Sequence, residues 1–426
     1  MNGERKNMNP LLPRYFFMPD AEARVMPDGR LYLYGSKDIY GEKDYCSKEY
    51  HVFSTDDPRM EQWTDHGVSL SNSRENPGIP FSPDVNLYAP DCVYYKGKYY
   101  LYVCGANRFE AVLEADRPEG PYINARPIVG ADGDGIDPAV FVDDDGQVYY
   151  FWGQFRLKGA RLKDDMATLD VDSLKENILT EPEHGFHEGA SIRKRDGKYY
   201  MVYTDISRGK ATCLSYAVSD FPLGPYKKMG VIVDNVYCDP KSWNNHGSIE
   251  CFCGQWYVFY HRSSGNSNVN RRVCAEPVYF NDDGTINEVK MTSQGASAPI
   301  SEISRIDASV ACRLKGNVYI APEKNSFGTD VNEVLMNAGN GNWTEDWAEF
   351  RYIDFRECVS IWKLRVKGHG SLSLMVEDCG IVASVEINSN EFENITGALY
   401  CSLKGCKSVW LLMNGENISI DWFGFE

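Results

Sequence analysis

Long basic runs are missing from this chain of 426 residues, whose formal net charge is −17. Nucleic acid and anionic membrane surfaces therefore find no complementary charge on it. Apolar runs are short as well. No stretch reaches the roughly 18 residues that a membrane span needs, and the opening MNGERKNMNPLLPRYFFMPD holds no apolar core of signal-peptide length. The expectation is a soluble chain placed in the cytoplasm. Paired C-x-x-C spacing is absent, and the 13 cysteines are an odd number spread over both halves. That argues against a disulfide framework or a zinc knuckle and predicts free, structural thiols. There is no Gly-rich phosphate loop, no Gly-x-Ser-x-Gly elbow and no His-Glu-x-x-His. Nucleotide, serine-hydrolase and zinc-peptidase chemistry have no support, and no organic cofactor is expected.

Aromatic side chains, by contrast, are abundant: 27 Tyr, 19 Phe and 9 Trp. They gather in five places, each a short glycine turn followed by an aromatic run: PDGRLYLYG, KGKYYLYVCG, DDGQVYYFWG, RDGKYYMVYT and CGQWYVFYHR. The turn glycines, 29, 97, 146, 197 and 254, are spaced 49 to 68 residues apart, the length of a four-stranded sheet with long loops. Hairpins recurring at that period predict an all-β fold, a five-bladed β-propeller.

Just before each hairpin comes the strand that lies nearest a propeller's axis. Those segments read MPDAEARV, YAPDCVYY, GIDPAVFV, FHEGASIR and NNHGSIEC. Counting back from the turn glycines, Asp20, Asp137 and Glu188 stand at an offset of nine, His246 at eight and Asp91 at six. Innermost strands start around one channel, so equivalent positions become neighbours and three carboxylates share one cup. A single Asp before a strand is more often a turn cap or an ion-pair partner. Recurrence at one offset is what favours chemistry. Cleaving a glycosidic bond needs one carboxyl to protonate the leaving oxygen and another to attack or to activate water.

The repeats end near residue 300. SQGASAPISEIS (293–304) reads as a linker, which predicts a propeller over 1–302 and a second domain over 303–426. Short alternating strands such as VSIWKLRVKG and GSLSLMVED predict a β-sandwich, jelly-roll-like. Asp346-Trp347, Asp354-Phe355 and the closing Asp421-Trp422-Phe423 resemble the marks of a family 6 carbohydrate-binding module. Where that likeness places a sugar-stacking Trp, around 389–398, the chain offers only Phe392.

Asp20, the Ile-Asp-Pro at Asp137 and the His-Glu-Gly at Glu188, in that order, resemble glycoside hydrolase family 43, whose members are five-bladed propellers. The likeness covers about residues 8–300. It implies Asp20 as general base, Asp137 as the residue that tunes and orients the acid, and Glu188 as general acid. It also implies inversion, with roughly 6.5–9.5 Å between base and acid. Two departures stand out: Ala21 follows Asp20 where the family usually has Pro, and Tyr88-Ala-Pro-Asp91 replaces Trp-Ala-Pro-Asp. Glu22, on the same face as Asp20, is a minor rival for the base. The same likeness makes His246 the protein ligand of a calcium ion in the central channel and Arg271 a sugar contact, with Arg272 pointing the other way along its strand. Tyr88, Asp91 and His187 are candidate substrate contacts, and His184 lies near them. The DGDGID run (132–137) looks calcium-like but lacks the spaced acids of a calcium loop and reads as a turn. Three Asn-x-Ser/Thr sequons, at Asn342, Asn394 and Asn417, are read as chance.

The expected activity is that of an inverting glycosidase, α-L-arabinofuranosidase or β-xylosidase in type, acting on pentose-containing oligosaccharides or polysaccharides of plant walls. The alternatives are a non-catalytic sugar-binding propeller and a protein-interaction propeller. Three acids at equivalent positions speak against both.

Overall fold

The computed structural model describes residues 8–131, 133, 135–323, 332–337, 340–341 and 345–426. Asp132 and Asp134 of the DGDGID run, and the sequon at Asn342, lie outside them.

Nineteen strands build the propeller. Blade one comprises β1 (Glu22–Val25), β2 (Leu31–Tyr34), β3 (Glu49–Thr55) and β4 (Thr64–Ser71). Blade two comprises β5 (Asp91–Tyr95), β6 (Lys98–Cys104), β7 (Glu110–Ala115) and β8 (Ile123–Pro127). Blade three holds β9 (Ala139–Val142), β10 (Val148–Trp152), β11 (Arg156–Leu162) and β12 (Leu169–Thr180). Blade four holds β13 (Phe186–Arg195), β14 (Lys198–Asp205), β15 (Cys213–Ser219) and β16 (Lys227–Asp234). Blade five has β17 (Ser248–Phe252), β18 (Gln255–Ser264) and β19 (Ser267–Val278). Every blade is an antiparallel meander in chain order. The first strands meet around the axis in the order β1, β5, β9, β13, β17 and back to β1.

Aromatic-rich second strands follow from having no solvent face. In β2, Leu31 and Leu33 pack toward blade five while Tyr32 and Tyr34 pack toward blade two. In β14, Val202 faces blade five and Met201 and Tyr203 face blade three. Period-two alternation thus feeds two cores at once, and five clusters between successive blades close the ring. All five hairpin glycines have the left-handed backbone their turns require, with φ between 75° and 89°. Among the described residues blade five has no fourth strand. The N-terminal segment runs along its outer strand, Leu11 N–H donating to Val273 O at 3.0 Å, and thereby staples the end of the ring to its beginning.

The second domain is the β-sandwich. Residues 362–376 pair on one side with 380–397 and on the other with 409–425. Trp362, Leu364, Val366, Leu372, Leu374 and Val376 point into one core, and Lys363, Arg365 and Lys367 point out. Phe392 lies on a strand rather than in a loop, its ring covered by Arg365 and Lys367, each at 4.6 Å. All 13 cysteines are free.

Candidate active site

Four of the five first strands are preceded, two residues earlier, by a residue at the rim of the axial channel: Asp20 before β1, Ala89 before β5, Asp137 before β9 and His246 before β17. Glu188 takes the corresponding place at a bulge near the start of β13. All five line one cavity of about 370 Å³, at the small end of ligand pockets, which run roughly 300–1,000 Å³. Asp20 and Asp137 both hold a left-handed backbone, φ 58° and 54°. That conformation costs on the order of 1–3 kcal/mol and is typical of functional positions. Gly189, after Glu188, has φ 67°, and a Cβ there would sit 3.0 Å from the His246 ring. Only glycine lets the His246 ring come this close to the backbone that follows Glu188.

Asp20 is buried and densely held. It accepts from Ser36 Oγ at 2.8 Å and from Arg271 Nη1 at 3.0 Å, with His261 Nδ1 at 3.4 Å. Burial pushes its carboxyl up, but Arg271 and the two histidines outweigh it and hold the group far below the usual carboxylate range. Asp137 behaves in the opposite way. Burial, then the negative charge of Glu188 and of Asp20, push its carboxyl well above the ordinary value. The upward shift thus falls on Asp137. Glu188 is half-buried and accepts from Gln154 Nε2 at 2.9 Å, while Arg108 Nη2 fixes the Gln154 amide through Oε1 at 3.1 Å. His246 places Nδ1 3.9 Å from Asp20 and 3.8 Å from Asp137. Burial lowers its pKa.

Arg271 lines the cavity and grips Asp38 with Nε and Nη2, both at 2.9 Å, as well as Asp20. Arg272 points away, as alternation predicts, and pairs with Glu333. Tyr88 and His187 line the cavity. Burial and two nearby thiols push the Tyr88 hydroxyl up to about 12, and His187 lies edge-on to Phe155 at 5.2 Å.

Asp91 is corrected. It does not reach the cavity: standing two residues farther along its strand than Ala89, it lies deeper in the channel, held by Arg24 Nε and Nη2 at 3.0 and 2.8 Å and by Val140 N–H at 2.7 Å. Glu22 shares that deeper layer, paired with Arg193 at 2.7 Å and Arg24 at 3.2 Å, and is no rival for the base. His184 is buried against its own turn, accepting from Thr180 N–H at 3.1 Å. Among residues that sequence reasoning missed, Tyr45, Cys46, Arg108, Gln154, Trp243 and Asn244 line the cavity. They sit in connections with no repeat phase, although Trp243 and Asn244 fall just ahead of His246.

Calcium favours six to eight oxygen ligands. Beside the His246 nitrogen stand Asp20 and Asp137, and no group of three His, Cys, Asp or Glu able to hold a metal is found among the described residues. A cage built by protein does not fit this donor set. A hydrated cation with His246 as its one protein ligand does.

Residues 8–286 match the profile described as glycosyl hydrolases family 43. The chain belongs to that family. It is therefore an inverting glycoside hydrolase on a five-bladed propeller. This family 43 chain is 31% identical over 425 residues to a xylosidase/arabinosidase of Thermoclostridium stercorarium, covering 86% of each. A family 43 β-xylosidase/α-arabinofuranosidase from a compost microbial metagenome, solved with xylotriose in a calcium-free form, matches with TM-score 0.56 and 30% identity over 67% of this chain and 97% of that one. A Bacillus subtilis arabinoxylan arabinofuranohydrolase in complex with cellotetraose shares the fold at TM-score 0.59 and 22% identity, over 99% of this chain and 97% of that one.

Proposed function

We propose that this enzyme releases arabinofuranosyl or xylosyl units from pentose-containing oligosaccharides and polysaccharides. The observation that carries this reading is the opposite electrostatics of two buried acids around one small cavity. Arg271 keeps Asp20 ionised, fit to take a proton from water, while Asp137, facing the charge of Glu188, keeps its proton. Relatives named for xylosidase and arabinosidase activity support the sugar class.

In this reading Glu188, the more accessible acid, protonates the glycosidic oxygen as Asp20 deprotonates the attacking water on the far side of the ring. Base and acid are expected roughly 6.5–9.5 Å apart, with room for that water. Asp137 holds the second carboxyl of the pair and tunes its proton. Gln154, through its bond to Oε2, orients Glu188. Arg271 meets the sugar and steadies the base, with Tyr88 and His187 completing the wall. A calcium ion belongs to the same proposal: His246 would hold it together with water, and it would supply fixed positive charge beside the acids.

The test is hydrolysis of aryl α-L-arabinofuranoside and aryl β-D-xyloside by the wild type, with the product anomer followed by NMR. Inverted pentose from either substrate is expected. No turnover of either would overturn the sugar assignment and favour a propeller that only binds sugar.

A further inference from the structure

Arg271 and Arg272 are neighbours on β19 and point to opposite sides of it. Arg271 grips Asp38 and Asp20 at the cavity. Arg272 reaches into the sandwich, where its Nη1 donates to Glu333 Oε2 at 3.0 Å and its Nη2 to Oε1 at 2.5 Å. Both side chains are buried, at 4% and 1% of full exposure. The Arg272 guanidinium also lies over the Phe17 ring at 4.3 Å. Phe17 bridges Asp38 through the backbone, Asp38 N–H donating to Phe17 O at 3.0 Å, three residues ahead of Asp20. A continuous path results: Glu333, Arg272, Phe17, Asp38, Arg271, Asp20. The hairpin between β18 and β19 is tied from the same side, Gly265 N–H donating to Ile320 O of the sandwich at 2.8 Å. On its other side Asn268 Nδ2 holds the hydroxyl of Tyr45, a cavity residue, at 2.8 Å.

We propose that Glu333, in the sandwich, is a positioning residue for the propeller's active site, fixing through Arg272 the strand from which Arg271 holds Asp20. The sandwich is thereby part of the catalytic apparatus of the first domain rather than an independent sugar-binding appendage. The inference rests on Asp20 being the base. Its physical ground is that a buried guanidinium stripped of its carboxylate must either move or draw in water. Either response shifts β19 and Phe17, both of which bear on Asp38 and Asp20.

The experiment measures kcat and KM on an aryl pentoside for the full chain and for Glu333→Ala, Glu333→Gln, Glu333→Asp, Arg14→Ala and Asp20→Asn, well below each melting temperature and with folding checked by circular dichroism. Misplaced reacting groups typically cost on the order of 10- to 100-fold in rate, and that loss of kcat/KM is expected for the Ala and Gln variants, with partial recovery in Glu333→Asp. Arg14→Ala breaks a different propeller–sandwich ion pair, the one with Asp307, and should lower the melting temperature while leaving kcat and KM in place. Wild-type kinetics in Glu333→Gln, or an equal loss in Arg14→Ala, would overturn the proposal. If Glu333→Ala does not fold, the isosteric Gln variant decides. An active Asp20→Asn would instead sink the base assignment on which the inference rests.

Discussion

Asp20 and Asp137 flank one nitrogen of His246, at 3.9 and 3.8 Å, yet burial and neighbours drive their carboxyls in opposite directions. The difference is Arg271, which bonds Asp20 at 3.0 Å, whereas Asp137 faces the negative charge of Glu188. One pocket thus contains a carboxylate that stays charged and a carboxyl that keeps its proton.

This division predicts a directional effect of Asp137→Asn. Asn tolerates the left-handed backbone at this position and removes the carboxyl whose like charge faces Glu188. The basic limb of the kcat/KM profile reports loss of the proton destined for the leaving group. It should move to lower pH in the variant, with activity better kept in acid than at pH 7. An unmoved basic limb would show that Asp137 does not tune the acid.

Asp91 should separate stability from chemistry. It is buried and ion-paired with Arg24 at 2.7 Å, below the cavity. Breaking a buried pair from one side typically costs about 3–5 kcal/mol. Asp91→Asn should therefore unfold at markedly lower denaturant or temperature while keeping most of its kcat/KM per folded molecule. A large kinetic loss without loss of stability would return Asp91 to the site.

Chelation addresses the channel ion. A ligand that binds only the folded state raises its stability, so EDTA should lower the melting temperature of the wild type and leave that of His246→Ala unchanged. An equal shift in both proteins, or none in the wild type, would remove His246 as a ligand.

Much of this architecture is legible in the amino-acid sequence itself. The five turn glycines and the doubly buried aromatic strands announce a propeller, because both signals come from the local backbone and from alternation. Asp20, Asp137 and Glu188 share an offset, and the fold turns that offset into proximity. Asp91 misleads because its residue type suggests a rim position that its phase does not allow: two residues along a strand move it from rim to shaft, to pair with Arg24. Gln154, Trp243 and Asp38 lie in connections that carry no period, and Glu333 lies in another domain, so no repeat arithmetic reaches them.

The most direct measurement of the central claim compares leaving groups. Wild type, Asp20→Asn and Glu188→Gln are assayed on a dinitrophenyl pentoside, whose leaving group needs no proton, and on the matching unactivated disaccharide. If Glu188 is the acid and Asp20 the base, Glu188→Gln retains most turnover of the activated substrate and loses on the order of 10²-fold or more on the disaccharide, while Asp20→Asn loses both alike. Equal losses on both substrates for Glu188→Gln, or activity retained by Asp20→Asn, would contradict the assignment.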